Sequence, residues 1–153
     1  MARLRVSTLI KAPLDRVFRF LADGENAPRW HPSIVEARRI EGTQLGVGST
    51  VRYRARIGPL DLVWVTRAEH FEWNRGFHDT LVRVEKGPLK TYELSGTFTE
   101  ENGATRVTME LSYTLGWGPL GSLLDALVVS RRVKRHMEEG LRRAKELLEA
   151  GRV

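Results

Sequence analysis

The C-terminal part of the chain carries a helical hydrophobic pattern that the remaining segments must accommodate. From Pro119 to about Glu149, apolar positions recur in steps of three and four, the spacing of one face of an α-helix. The positions on this stripe are Leu123, Leu127, Ser130, Val133, Met137, Leu141, Ala144 and Leu148. Pro119 suits the first helical position and Gly151 a C-terminal cap. At 1.5 Å per residue the predicted helix is about 45 Å long, so it needs a broad surface to lie on.

Two residues of this helix do not suit a segment that only fills a core. Ser130 is polar, and Gly140 costs about 1 kcal/mol relative to alanine inside a helix. Such residues indicate either a close approach of another backbone or the wall of a cavity. The pattern leaves both interpretations open.

Upstream of this helix, the hydrophobic pattern changes to the period of two that is typical of strands. A first strand is predicted at residues 3–10, after which Ala12-Pro13 opens one helix and Asn26 to Trp30 fit a second, short one. Six further strands are predicted at 34–41, 49–57, 61–70, 75–85, 90–100 and 104–114. Short turn segments join them, so they form an antiparallel meander. The predicted fold is therefore α+β: a seven-stranded antiparallel sheet wrapped around a long C-terminal helix, with two short helices after strand 1.

The composition is that of a soluble globular protein. The 153 residues are most simply one domain, 1–153, with 41% hydrophobic and 29% charged residues. The absence of cysteine excludes disulfides and thiolate chemistry. No segment resembles a signal peptide, and none approaches about 18 uninterrupted apolar residues. We expect a cytoplasmic protein without a transmembrane segment, either a monomer or a homodimer.

The net charge of +6 adds one candidate surface. The basic residues are interleaved with glutamate along the chain, so we expect no nucleic-acid partner. Arg52, Arg54 and Arg56 are spaced by two and therefore share one face of a predicted strand. This face is either an ordinary solvated strand surface, which is the simpler interpretation, or a surface for an anionic partner.

Residue types that could support metal or phosphate chemistry lack the spacing that such sites need. His31, His70, His78 and His136 show no metal-ligand spacing, and the glycines at 46–49 lead into a strand instead of a helix. We therefore expect no metal and no cofactor. For acid–base chemistry, the residues that qualify are Asp79 and His78; they alternate along a strand, so at most one of them faces inward. Asp79 is the weak catalytic candidate. The alternative for Asp79 is a strand-end carboxylate in solvent.

Several short motifs follow one another in an order that resembles a known superfamily. They are Ala12-Pro13 with Val17-Phe18, Trp30-His31-Pro32, Gly87-Pro88 with Tyr92 and Phe98, Gly103 to Val107 with Tyr113-Thr114-Leu115, and Gly118 to Leu127. With the order of elements, they resemble the START-like (SRPBCC) superfamily and its helix-grip fold over nearly the whole chain. The resemblance is to the polyketide cyclase/dehydrase and coenzyme-Q-binding-like bacterial branch. It implies a ligand cavity between the sheet and the C-terminal helix.

This implied cavity would be lined mainly by aromatic and flexible side chains on the inward faces. The candidate ligand-binding residues are Trp30, Tyr53, Trp64, Phe77, Asp79, Tyr92, Leu94, Phe98, Met109, Ser130, Val133 and Met137. The bacterial branch often has two histidines and an aspartate pointing inward on the last two strands. At the matching positions this chain has Leu94, Gly96 and Met109, so we expect an inward face that is poor in titratable groups.

Three functions remain open. The first is non-catalytic binding or transport of a small hydrophobic ligand, such as a lipid, an isoprenoid or quinone, or a polyketide-like molecule. The second is an aromatase/cyclase-type enzyme that acts on a polyketide-like substrate in the same cavity, with Asp79 or Tyr92 as its polar group. The third is an interaction module that uses the arginines of strand 49–57 on an anionic partner.

Overall fold

The structure, a computed structural model, describes residues 2–42, 44–116, 118–124 and 128–153, except for the side chains of residues 121, 122 and 124. Strand β1 (Ala2–Ile10) is followed by helix α1 (Leu14–Ala22), one turn of 3-10 helix (Gly24–Asn26) and helix α2 (Ala27–Trp30). The next six strands are β2 (Ile34–Glu41), β3 (Thr50–Ile57), β4 (Leu60–Glu72), β5 (Gly76–Lys86), β6 (Leu89–Glu101) and β7 (Ala104–Leu115). Helices α3 (Gly118–Leu124) and α4 (Ser130–Glu149) come last.

The seven strands form one antiparallel sheet in the order β1-β7-β6-β5-β4-β3-β2. Strands β2 to β7 form a meander, and β1 returns to pair with β7 from Ala2↔Tyr113 to Ile10↔Thr105. The first two strands therefore occupy opposite edges, and α1 and α2 connect them. This arrangement confirms the predicted helix-grip fold, with strand limits within two residues of the prediction.

The inward face of the sheet is apolar, as the alternation of residues predicts. In β7, Val107, Met109, Leu111 and Tyr113 are all buried, with at most 8% of their surface exposed. The register places Met109 directly opposite Gly96 of β6. An apolar sheet face of this kind must be covered, and the helices provide the cover.

Helix α1 closes one end of this face through an aromatic cluster. Phe18 is fully buried. Its ring centroid lies 5.4 Å from that of Phe71, 5.0 Å from that of Phe98 and 5.5 Å from that of Trp73. Separations of this size are typical of favourable aromatic pairs. This end of the protein is therefore a packed core.

On the outward face, arginine side chains cover apolar residues. Val65 is completely buried although it points away from the core, and its cross-strand neighbours are Arg52 and Arg83. Both arginines donate hydrogen bonds from Nε to Glu85, at 2.9 Å and 3.1 Å. Their aliphatic stems can shield the valine while their charged ends reach solvent. This geometry favours the solvated strand face over an anion-binding surface.

Hydrogen bonds fix the C-terminal end of helix α4 to the rest of the protein. Lys145 Nζ donates a hydrogen bond to the Leu9 carbonyl at 2.7 Å, and the Lys11 backbone N–H donates to Glu149 at 2.8 Å. The Arg16 guanidinium donates a hydrogen bond to the Leu148 carbonyl in the last helical turn. The packing partners of α4 are chiefly β1, α2 and α1. In the N-terminal half of α4, Val133 and Met137 are buried against the rest of the protein.

The structure describes the predicted helix from Pro119 in two parts, α3 (Gly118–Leu124) next to β7 and α4 (Ser130–Glu149) of 20 residues. Residues 125–127 of the prediction lie outside the described residues. The inward assignment of Leu123 is wrong, because this side chain is 57% exposed on α3. Leu127 lies outside the described residues. The remaining apolar stripe positions are buried as predicted: Val133, Met137, Leu141, Ala144 and Leu148.

The helix cap and the helix glycine can be interpreted directly. Gly151 has φ +69° and its N–H donates to the Leu148 carbonyl at 3.2 Å, as predicted for a C-terminal cap. A Cβ at Gly140 would lie 3.0 Å from Trp30 Cε3 and 3.3 Å from His31 Cα. Of the two interpretations of Gly140, the close approach of another backbone, that of α2, is correct.

Candidate functional site

Two adjoining chambers lie between the sheet and the covering helices. The centres of water-sized molecules can occupy about 60 Å³ in the first chamber and about 70 Å³ in the second. His31, Ile34, Tyr92 and Leu111 contribute to the walls of both, so they form a partition. The gap that the fold predicts under α4 is therefore present, but it is divided.

The second chamber is almost entirely apolar. Its walls include Leu62, Trp64 and Leu89 from the sheet and Val133 from α4. The ring of Trp64 lies 5.5 Å, centroid to centroid, from that of Tyr92 in the partition. This chamber offers shape and apolar surface with few polar groups, as is usual for sites that hold hydrophobic molecules.

The first chamber contains the unusual polar group of the site, the carboxyl group of Asp79. Asp79 lies on β5, between Ala68 of β4 and Leu94 of β6. It makes no hydrogen bond or salt bridge with any residue that the structure describes. Burial raises its pKa from 3.8 to about 7, because the charged form is disfavoured away from water. Asp79 can therefore hold or release a proton near neutral pH.

Two tyrosines accompany this carboxyl group. Burial, and then the charge of Asp79, raise the pKa of both Tyr53 and Tyr92 well above the ordinary value, so both hydroxyls are neutral. Tyr53 lies so close to Gly24 that the hydroxyl leaves no room for a Cβ there. The turn after α1 therefore needs glycine at this position in order to admit the tyrosine.

Besides aspartate and tyrosine, the chamber walls contain a histidine, His31. Its ring is held in one tautomer. The Ser33 backbone N–H donates to His31 Nδ1 at 3.3 Å, and Ser33 Oγ lies 3.0 Å from the same atom. Because Nδ1 accepts from the backbone, the ring proton belongs on Nε2. Burial, then the positive charges of His136 and Arg143, lower the pKa of His31 to about 4. The ring is neutral at physiological pH.

Comparison with known proteins agrees with this geometry. The sequence profile described as "Polyketide cyclase / dehydrase and lipid transport" matches residues 1–149. The chain belongs to this family. A solved structure of TTHA0849 from Thermus thermophilus aligns with a TM-score of 0.83 at 21% identity, covering 99% of this chain and 100% of that one. No curated protein matches the chain.

Two further solved structures share the fold of this polyketide cyclase/dehydrase and lipid transport family member. A START superfamily protein from Mycobacterium smegmatis aligns with a TM-score of 0.70 at 17% identity, covering 99% of this chain and 96% of that one. The Zhui aromatase/cyclase from Streptomyces sp. R1128 aligns with a TM-score of 0.73 at 14% identity, with the same coverage. At such identities the likeness extends to the fold. The family and the fold together support a hydrophobic ligand-binding architecture.

The structure brings most of the predicted lining residues of this family member together. The first chamber is lined by Trp30, Tyr53, Phe77, Asp79, Tyr92, Leu94, Met109 and Met137, and the second by Trp64, Tyr92 and Val133. Phe98 lies outside both walls, because its ring packs against Phe18 and Phe77. Ser130 also lies outside them, because Val129 and Val133 form the wall on that side of α4.

Sequence reasoning missed several wall residues. Asp23, Gly24 and Ile34 lie in connecting segments or at the start of a strand, where no period indicates a facing direction. His31 was considered only as a possible metal ligand. Of the Trp30-His31-Pro32 motif, only Trp30 was predicted to line the cavity. The Trp-His-Pro motif was the available signal, since it places the histidine beside a buried tryptophan.

Metal-binding and membrane-spanning features complete the description. Across the described ranges, no group of three His, Asp or Glu side chains could hold a metal ion. Among the helices of those ranges, none is both long and apolar enough to cross a bilayer.

Proposed function

We propose that this chain binds a small hydrophobic molecule in the two chambers and carries it without changing it chemically. The observation that carries this proposal is the largely apolar space between the sheet and α4, whose described walls contain no lysine or arginine. Moving apolar surface out of water is favourable by about 25 cal/mol per Å². A ligand that buries about 200 Å² would therefore gain about 5 kcal/mol before the costs of immobilising it.

The walls are suited to adapt to a ligand larger than the present space. Met109 and Met137 both face the first chamber, one from the sheet and one from α4. Methionine is unbranched and flexible, so it can change rotamer to admit a guest at low cost. This supports a carrier whose chambers widen when they are filled.

A candidate access route supports the same proposal. A smaller space beside the first chamber shares Gly24, Tyr53 and Asp79 with it and extends to Leu45 and Gly46 in the loop between β2 and β3. A guest could enter between this loop and the turn after α1. The polar end of the first chamber would then lie nearest the opening.

Ligand uptake can be measured directly. Native mass spectrometry and solvent extraction of the purified protein would reveal a co-purified molecule, and titration with the uncharged fluorophore N-phenyl-1-naphthylamine would report the affinity of the chambers. We expect Val133→Phe, which fills the second chamber, to weaken dye binding at least ~10-fold. Val82→Phe makes the same change on the outer side of β5, where Val82 is 36% exposed, and should bind like the wild type. Equal binding by both variants would reject the chambers as the site.

A cyclase-type activity is the second candidate, and the protonation of Asp79 is the observation that favours it. A carboxyl group with a pKa of about 7 is well matched to general acid–base catalysis at neutral pH. Against it, the histidine–histidine–aspartate positions of the bacterial branch are occupied by Leu94, Gly96 and Met109, and the Phe77 ring fills the space above Gly96.

The two candidates differ in one measurement. Wild-type protein and Asp79→Asn are each incubated with a poly-β-carbonyl compound, and ring formation is followed by mass spectrometry and absorbance. A cyclase would accelerate ring formation in the wild type and lose this acceleration in Asp79→Asn while still binding the compound. Binding without acceleration in both proteins is the result expected of a carrier.

A further inference from the structure

We propose that the first chamber receives the positively charged amine end of a hydrophobic ligand, with Asp79 as the counter-ion. The inference rests on the proposed function, because it assigns a chemical class to the molecule held in the same chambers. It predicts a guest with an apolar body in the second chamber and a protonated amine in the first.

The first argument is the contrast between Asp79 and the other aspartates that the structure describes. Asp15 lies 3.4 Å from Arg19, Asp23 lies 3.0 Å from Arg39, and Asp61 lies 2.8 Å from Arg54. Asp79 has no such partner in the described part of the chain. A carboxylate held away from water lacks the cation that would stabilise its charged form, and a ligand can supply it.

The second argument is the charge of the chamber walls. Asp23 and Asp79 both line the first chamber, and no described wall residue of either chamber is a lysine or arginine. The net charge of +6 therefore resides elsewhere. A carboxylate or phosphate head group would meet like charge here, whereas an ammonium group would meet opposite charge.

The third argument is the aromatic surroundings of Asp79. Tyr53, Phe77 and Tyr92 line the same chamber. Ring faces attract cations that lie within about 6 Å of the ring centre, and the attraction is strongest where water is excluded. An acidic side chain among several rings is a combination that suits an organic ammonium ion better than an uncharged polar group.

Much of the energetic cost of this arrangement falls on folding. Asp79 is half-buried in the folded chain without a partner among the described residues, so a ligand has less water to displace from it. Pre-organised groups of this kind give a larger share of their interaction to affinity. The gain belongs to ligands that bring a positive charge, and it is absent for ligands that do not.

The groups around Asp79 keep their protonation states over the relevant pH range. Tyr53 on β3 and Tyr92 on β6 are neutral, and Asp23 in the turn after α1 is paired with Arg39. Burial, then the charges of His136 and Arg143 on α4, keep His31 neutral above about pH 4. Asp79 is therefore the wall group whose charge changes between pH 5 and pH 8.

Three small probes with one alkyl chain test the inference: hexylamine, hexan-1-ol and hexanoate, each competing with N-phenyl-1-naphthylamine at pH 8. We expect hexylamine to compete at least ~10-fold better than hexan-1-ol and hexanoate to compete worst. Equal competition by hexylamine and hexan-1-ol would overturn the amine assignment and leave hydrophobic binding intact. If none of the three probes competes with bound dye, the amine assignment is overturned. If the dye itself does not bind the wild-type protein, the proposed function is removed too.

The pH dependence gives a second test that needs no variant. With a pKa of about 7, the ionised fraction of Asp79 falls about 100-fold from pH 8 to pH 5. Hexylamine affinity should therefore fall at least ~10-fold, toward its affinity for the protonated site, while hexan-1-ol affinity stays constant. In Asp79→Asn the preference for hexylamine should disappear and its affinity should become independent of pH. The surface variant Asp61→Asn should behave like the wild type. A pH-independent hexylamine affinity in the wild type would overturn the inference.

Discussion

Replacing Asp79 by asparagine should change how the stability of the protein depends on pH. Burial raises the pKa of this carboxyl group from 3.8 in the unfolded chain to about 7 in the folded protein. The folded state therefore keeps a proton that the unfolded state releases. The favourable contribution is fully present below pH 3.8 and is lost as the pH rises through 7. A difference of about 3 pKa units at 1.36 kcal/mol each corresponds to about 4 kcal/mol.

The wild-type curve alone would not reveal this effect, because His31 acts in the opposite direction. Burial lowers the pKa of His31 from 6.5 to about 4, so its contribution is present above pH 6.5 and is lost as the pH falls through 4. The two slopes overlap and largely cancel. Only the difference between the wild type and Asp79→Asn isolates the carboxyl group.

The assay is urea denaturation followed by tryptophan fluorescence at intervals between pH 4 and pH 8.5. The unfolding free energy of Asp79→Asn minus that of the wild type should rise by about 4 kcal/mol from the acidic to the alkaline end. Asp61→Asn is the matched control, because Arg54 and Lys86 hold the pKa of Asp61 well below its ordinary value. That variant should lose stability relative to the wild type by an amount that stays nearly constant from pH 4 to pH 8.5, because the contribution of Asp61 is lost only below pH 3.8. Parallel curves for the wild type and Asp79→Asn would refute the burial of an unpaired carboxyl group.

Three further changes test the packing. Phe18→Ala removes a fully buried ring that three other rings contact and should cost about 3–5 kcal/mol in the unfolding free energy measured by urea denaturation. Gly140→Leu places a side chain where a Cβ would already lie 3.0 Å from Trp30 and should cost about 1–3 kcal/mol in the same assay; an unchanged midpoint would contradict the close approach. Gly96→Ala puts a Cβ 2.5 Å from the Phe77 ring, so the ring should move into the first chamber and weaken binding of N-phenyl-1-naphthylamine severalfold, whereas undiminished affinity would show that Phe77 can move elsewhere.

The strands were predictable from the sequence because apolar and polar residues alternate along them. Each strand buries one face, so the period of two sets both the strand limits and the facing of residues such as Met109 and Asp79. The exposure of Leu123 on α3 was not predictable in this way. A helical stripe continues through Leu123 in the sequence, but no period shows whether a surface lies opposite it. Tertiary contacts decide which positions of a helical stripe are buried.

The site was predictable in its sheet residues and less so in its helical and connecting residues. Tyr53, Phe77 and Tyr92 lie on strands whose pleat fixes their direction. His31 lies in a connection, where its direction depends on the contact between α2 and α4. The partition between the two chambers follows from that contact, so it required three-dimensional information.

Two features with a local cost to folding lie at the first chamber. Asp79 lacks a partner among the described residues, while Gly24 makes room for the Tyr53 hydroxyl. Natural sequences keep local choices consistent with the fold except where function requires otherwise. Hydrogen bonds of Lys145 and Glu149 secure the C-terminal end of α4, and neither residue lines this chamber. Because Asp79 makes none of these contacts, changing it should leave the helix attached, and a loss of binding in Asp79→Asn can be attributed to the site.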